Sequence, residues 1–418
     1  MNRLSWIVAA LCLPAAVRAQ EAPPEPVVIR AGKLLTMNAK DEVLDDAVIV
    51  LRGAKIEAVG PASAVELPPG ARVIDASGQW VLPGFIDCHD HVAGGLGDLN
   101  DGVWLTNPGL RTVDTLLPDS EDLKNARAGG VTTVLLIPGS GNNMAGFGTI
   151  TRTAGATQGE MVVRAPGSLK IAQAGNPESY WFGVGRSYMN WNLGQTLEKA
   201  REYHLRWEAW EALVREKGET AAGPAPEKSP IWEDFRPLFK GEIPASVHTQ
   251  IYQVVHKTLV QLHDQFGLRV VLDHSTFDGY KTAPMVLERE RVFTICGPRQ
   301  FFFDRSERRI VGIADRWYAG GVRKLGINTD APVVPQEELT LQAALGCRFG
   351  LDHYTALKGL TIVPAQALHI DGLVGSLEPG KEADLVVWTG DPLDPRSSCL
   401  LTLVRGKVVY DQAAERRF

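Results

Sequence analysis

Apolar and polar positions fall into distinct textures along the chain. Between 27 and 76, short β-branched runs (Val27-Val28-Ile29, Ala47 to Leu51, Lys55 to Val59, Val73-Ile74) are punctuated by Gly32, Gly53, Gly60 and Gly70. This is the pattern of strands joined by tight turns. The texture returns in Ala383 to Trp388 and in Leu400 to Tyr410, where Arg405-Gly406 marks a turn. Each segment is too small to hold a core alone, so together they predict one β-sandwich domain built from both termini, over 20–81 and 366–418. The stretch 82–365 differs. Buried-strand runs at Val81 to Ile86, Val131 to Ile137, Leu169 to Ala172, Val270 to Leu272, Val292 to Ile295 and Leu325 to Asn328 alternate with helical segments. That alternation predicts parallel βα units. The clearest helix covers 193–216, where Leu193, Leu197, Ala200, Tyr203, Trp207, Trp210 and Val214 recur at three- and four-residue spacing as a core-facing stripe. Residues 219–230 read as an exposed loop.

Composition narrows the classes. The 418 residues are 44% hydrophobic and 22% charged, as in soluble globular proteins, which excludes a disordered or membrane-embedded bulk. A formal net charge of −6 leaves no basic field for nucleic acid or anionic lipid. Residues 1–19 have the layout of a signal peptide: Arg3, an apolar run from Trp6 to Ala16, and a Val17-Arg18-Ala19 cleavage site. The run is about half the ~20 residues of a membrane span, and no small residues of a lipoprotein site precede Cys12. The expectation is a periplasmic or secreted protein with no membrane anchor. Cys88, Cys296, Cys347 and Cys399 are far apart, which suggests neither a zinc ribbon nor a disulfide framework.

Candidate chemistry concentrates at strand ends. Asp87-Cys88-His89-Asp90-His91 directly follows the apolar run Val81 to Ile86. Residues two apart on a strand face the same side, so His89 and His91 can converge on one metal ion. His248 ends Ile243 to Val247, His274 follows Leu268 to Leu272, and Asp330 follows Leu325 to Asn328. In a βα barrel these carboxyl ends are the catalytic face. His204, His256, His263, His353 and His369 lack that context and read as ordinary residues.

Val81-Leu82-Pro83-Gly84-Phe85-Ile86-Asp87-Cys88-His89-Asp90-His91 resembles the first barrel strand of the metal-dependent amidohydrolase superfamily. Gly375 to Val387 is similar to that superfamily's C-terminal return to its β-domain. Gly130-Val131-Thr132-Thr133-Val134, His274 and Asp330 fall between in the expected order. Pro138 to Asn142 and Leu169-Lys170-Ile171-Ala172 resemble the secreted, imidazolonepropionase-like and dipeptidase-like branch. The resemblance implies a (β/α)8 TIM barrel over 82–365. It makes His89, His91 and Asp330 ligands of a first metal, His248 and His274 ligands of a second, and Lys170 the lysine that relatives carboxylate to bridge two ions. One departure is Ala174-Gly175-Asn176-Pro177, where relatives read Gly-Glu-Asn-Pro. Another is Thr249-Gln250-Ile251-Tyr252 after His248, without the charged residues often found there.

The expected chemistry is hydrolysis of a C–N bond in a small cyclic amide, amide or dipeptide by metal-activated water. Asp330 would serve as general base and then acid. One or two divalent ions per chain are expected, zinc first among them, since imidazoles with a carboxylate suit it. The expected partner is a small-molecule substrate, and a homo-oligomer is compatible with the sequence. The alternative is an amidohydrolase-like protein that binds a ligand without turning it over.

Overall fold

A computed structural model describes residues 25–95, 97–180 and 184–418. The expected signal peptide lies outside the described residues. Four strands open the chain: β1 (Pro26–Leu35), β2 (Val43–Arg52), β3 (Lys55–Pro61) and β4 (Arg72–Pro83). Seven strands carry the middle up to residue 296: β5 (Phe85–Asp90), β6 (Val131–Leu136), β7 (Met144–Arg152), β8 (Val162–Ala172), β9 (Ala245–Thr249), β10 (Val270–His274) and β11 (Val292–Cys296). A small hairpin, β12 (Phe301–Asp304) and β13 (Arg309–Gly312), precedes β14 (Leu325–Ile327). The chain closes with β15 (Leu385–Trp388), β16 (Cys399–Val404) and β17 (Lys407–Asp411).

The two ends do meet. They form one seven-stranded sheet in the order β17-β16-β15-β4-β1-β2-β3, with β15 antiparallel to β4. The expected pair of facing sheets is not seen; the strands make a single hydrogen-bonded sheet. Ile29, Leu34, Ile49, Leu51, Val81, Leu385 and Leu403 cluster on one side of it. Leu82, Val386 and Trp388 instead join the large core shared with the middle of the chain. Strand alternation explains the split, because neighbours such as Val81 and Leu82 face opposite sides.

The middle strands form an eight-stranded sheet, β14-β11-β10-β9-β8-β7-β6-β5. It nearly closes on itself: the His91 backbone N–H donates to the Ala331 carbonyl at 3.0 Å, and a parallel bridge joins Asp90 to Ala331. The barrel departs from eight βα repeats at one strand. β7 runs antiparallel to both β6 and β8. The link from Leu136 to Met144 is too short for a parallel crossover, which takes a dozen or more residues. β7 also escapes a sequence reading because Gly146 and Gly148 look like turn residues. Packing requires the second of them: a Cβ on Gly148 would lie 2.4 Å from Ile137 Cγ2. Gly84, where β4 runs into β5, is forced in the same way, since a Cβ there would lie 2.3 Å from the Thr132 side chain.

The expected helix is present and longer, Arg186–Lys217, with Leu193, Leu197, Ala200, Tyr203 and Trp207 buried. Among the described residues no helix is long and apolar enough to cross a membrane.

Candidate metal centre

The carboxyl ends of β5, β8, β10 and β14 deliver His89 with His91, Lys170, His274 and Asp330 to one buried point. Ligand atoms of His89, His274 and Asp330 all lie within 4.8 Å of one another. Asp330 Oδ1 sits 3.3 Å from His89 Nε2 and 3.2 Å from His91 Nε2. Lys170, fully buried, brings its Nζ to 2.9 Å from His89 Nε2.

The opposite ring nitrogens each face an acceptor. His89 Nδ1 faces Asp273 Oδ2 at 3.1 Å, His91 Nδ1 faces the Ile137 carbonyl at 2.8 Å, and His274 Nδ1 faces the Gly297 carbonyl at 2.8 Å. The Nδ1 of His91 and that of His274 therefore carry the proton, and their Nε2 atoms present lone pairs to the centre. Metal-binding histidines are oriented in just this manner. His274 Nε2 is buried with no hydrogen-bond partner, an orphan acceptor that a divalent ion would satisfy. The donor set fits such an ion.

Electrostatics favour neutral rings at His274 and His91. Burial pushes His274 down to about 4 and also lowers His91. Burial and Lys170 oppose protonation of His89, but Asp273 and Asp330 outweigh them and raise it. Burial alone would raise Asp330; His274, His89 and His91 outweigh it and hold the carboxyl far below its usual range. Burial brings Lys170 down to about 8, close to the neutral amine that can become a carbamate.

Backbone strain marks two of these residues. His274 and Asp330 have φ of 66° and 53°, a left-handed conformation costing non-glycine residues about 1–3 kcal/mol. The turn at His274 is braced by Ser275, whose N–H donates to the Thr249 carbonyl and whose own carbonyl accepts the Trp317 indole N–H at 2.9 Å. It has a geometric result. Adjacent residues on a regular strand face opposite sides, yet Asp273 and His274 both meet His89, with the His89 and His274 rings 4.5 Å apart.

His248 occupies a different setting. Its ring is 4.6 Å from that of His274, but Nδ1 contacts Ser140 Oγ at 2.9 Å and Nε2 contacts Gln250 Nε2 at 2.9 Å. Both nitrogens are engaged by protein, and His248 is outside the cluster of ligand atoms. Gly175 borders it, with a Cβ there falling 3.6 Å from His248 Nε2.

The sequence reading missed the supporting residues Asp87, Asp273, Ser140 and Gln250. Asp87 accepts from the His89 N–H at 3.1 Å and from Thr329 Oγ1 at 2.5 Å, tying β5 to the end of β14. Its position two residues before His89, on the same strand face, was the available signal. A cleft of about 480 Å³ opens above the centre, lined by His91, His248, Asp330, Ser140 and Asn176 among others.

Histidines and an aspartate gathered at the carboxyl ends of a near-closed barrel form a set that could hold a metal ion, on the face where barrel enzymes carry their sites. A profile described as the Amidohydrolase family matches residues 338–410. Amidohydrolase tasK of Hapsidospora irregularis is 24% identical over 404 residues, covering 87% of this chain; the match spans only 40% of that longer protein. An imidazolonepropionase of Pseudomonas fluorescens (strain Pf0-1) is 28% identical over 384 residues, 84% of this chain and 89% of that protein. Among solved structures, an amidohydrolase from Thermotoga maritima MSB8 matches with TM-score 0.79 and 26% identity, over 92% of this chain and 100% of that one. An adenosine deaminase from Xanthomonas campestris with bound zinc shares the fold at TM-score 0.51 and 20% identity, over 94% and 97% of the two chains. These matches support a place in the metal-dependent amidohydrolase superfamily, whose members include hydrolases acting on carbon–nitrogen bonds.

Proposed function

We propose that the protein is a periplasmic or secreted hydrolase that opens a C–N bond in a small cyclic amide, amide or dipeptide, using one or two divalent ions, zinc first among them. The observation carrying this reading is the buried convergence of His89, His274 and Asp330, with the far nitrogen of the His274 ring already bonded to the Gly297 carbonyl. His89, His91, His274 and Asp330 would hold an ion. Lys170, as a carbamate, would add an anionic oxygen ligand, and His248 would join a second ion on releasing Gln250. A bound divalent ion supplies a lowered water pKa and a polarised substrate carbonyl. Asp330, kept deprotonated by the surrounding imidazoles, takes a proton from the attacking water and passes it to the leaving nitrogen. The barrel wall excludes bulk water from the floor, where His89 and Lys170 are fully buried.

The test is elemental analysis of purified protein beside a hydrolysis screen of lactams, N-acyl amino acids, amides and dipeptides. The expected result is one or two ions per chain, fewer in a His89→Ala, His91→Ala double variant, and turnover of at least one C–N substrate. Unchanged metal content in the double variant refutes the centre.

A further inference from the structure

The cleft over the centre has a chemical character that the metal site does not set. Besides His91, His248 and Asp330, the residues lining it are Asn100, Ser140, Asn142, Asn176, three glycines and Val333. These side chains hydrogen-bond without carrying charge. Asn100 and Asn142 are fixed by the loops they hold: Asn100 Oδ1 accepts from the Gly139 N–H at 2.7 Å, and Asn142 Nδ2 donates to the Asp101 carbonyl at 2.8 Å.

The neighbouring loops add apolar surface. Asp101, between the lining residues Asn100 and Gly102, accepts from the Val103 N–H at 2.8 Å, so its carboxylate is engaged within the loop. Asn176 is followed closely by Glu178, whose carboxylate holds Arg186 at 3.0 Å, so that cation is already committed. Val333, in the cleft, is 64% exposed, and Val103 and Trp104 stand 69% and 66% exposed on the loop after Gly102. Asn192 donates to Thr106 Oγ1 at 2.6 Å, which ties that loop to the helix carrying the exposed pair Tyr188 and Trp191. Arg299 is an exposed cation on the loop after β11, and it stacks over Phe277 at 5.7 Å.

We propose that this cleft selects substrates whose part beyond the scissile bond is uncharged. A carboxamide, hydroxyl or ring amide would meet Asn100, Ser140, Asn142 and Asn176, and an apolar group would meet Val333. A free carboxylate brought there would lose hydration, and no lysine or arginine among the described residues lining the cleft offers it an opposite charge. The proposal rests on the proposed function, since it names the substrate class of that centre.

The experiment uses zinc-loaded protein and three hydroxamates, which anchor on the ion and differ only at the far end: benzohydroxamate, its 4-carboxamide and its 4-carboxylate. Affinities are measured by calorimetry. The carboxamide is expected to bind tighter than the carboxylate by about tenfold or more, the scale of one unpaired buried polar group. Asn176→Arg is expected to reverse that order. Equal affinities, a preference for the carboxylate, or an unchanged ratio in Asn176→Arg overturns the selectivity while leaving the metal reading intact. Failure of all three compounds to bind overturns both.

Discussion

Asp273 Oδ2 lies 3.1 Å from His89 Nδ1, and neither side chain has any solvent exposure. A carboxylate beside Nδ1 favours a proton on that nitrogen, which leaves Nε2 toward the centre. A carboxylate in this position also makes the imidazole a better ligand. Removing it leaves His89 free to turn. Asp273→Ala is therefore expected to weaken metal affinity by about 10–100-fold, measured by competition with a chromophoric chelator. Wild-type affinity in that variant would detach Asp273 from the centre.

Asp330 is the group placed to move protons. Asp330→Asn keeps the shape and an oxygen donor but loses the base, so turnover should fall by about 10²–10⁴-fold with part of the metal retained. The check is kcat together with metal content on the same preparation. Near-normal kcat would assign proton transfer to another residue.

Lys170 is enclosed at the barrel floor, 2.9 Å from His89 Nε2. Were it only a structural amine, its removal would leave the ion count alone. As a carbamate, its loss in Lys170→Ala should lower the ion count, and added propionate should restore part of it. Elemental analysis with and without propionate reads both effects.

Asp384 offers a test of stability away from the centre. Burial raises its carboxyl from 3.8 to about 7, against the hydrogen bond it accepts from the Arg405 N–H at 2.6 Å. Between those values the folded state holds a proton that the unfolded state has released. The contribution of Asp384 to stability therefore falls as pH rises from about 4 to 7 and levels off above. Asp384→Asn removes that slope, so the variant should gain on the wild type at pH 8 relative to pH 4. Parallel curves for the two proteins in urea unfolding would contradict this.

How far the chain could be read in advance varied with the kind of signal. Strand-end histidines and Asp330 were legible because an apolar run followed by a polar ligand is a local pattern. The long helix was legible from its stripe. β7 was not, since its close contacts demand glycines that look like turns. Asp273 was hidden for another reason: it abuts His274, and alternation assigns neighbours to opposite faces unless the backbone turns left-handed there. The engagement of His248 by Ser140 and Gln250 joins loops after different strands, and no local pattern carries it.

β4 leads straight into the barrel at Gly84, yet its neighbour β15 pairs Leu385 with Pro83 and is synthesised only after the whole barrel. During synthesis, one side of β4 thus remains a bare edge able to recruit another chain. Sealing it is a contact between sequence-distant segments, the kind that slows folding. A nascent chain released before residue 385 would expose that edge permanently, so loss of a short C-terminal piece should cause aggregation and not merely a weaker enzyme.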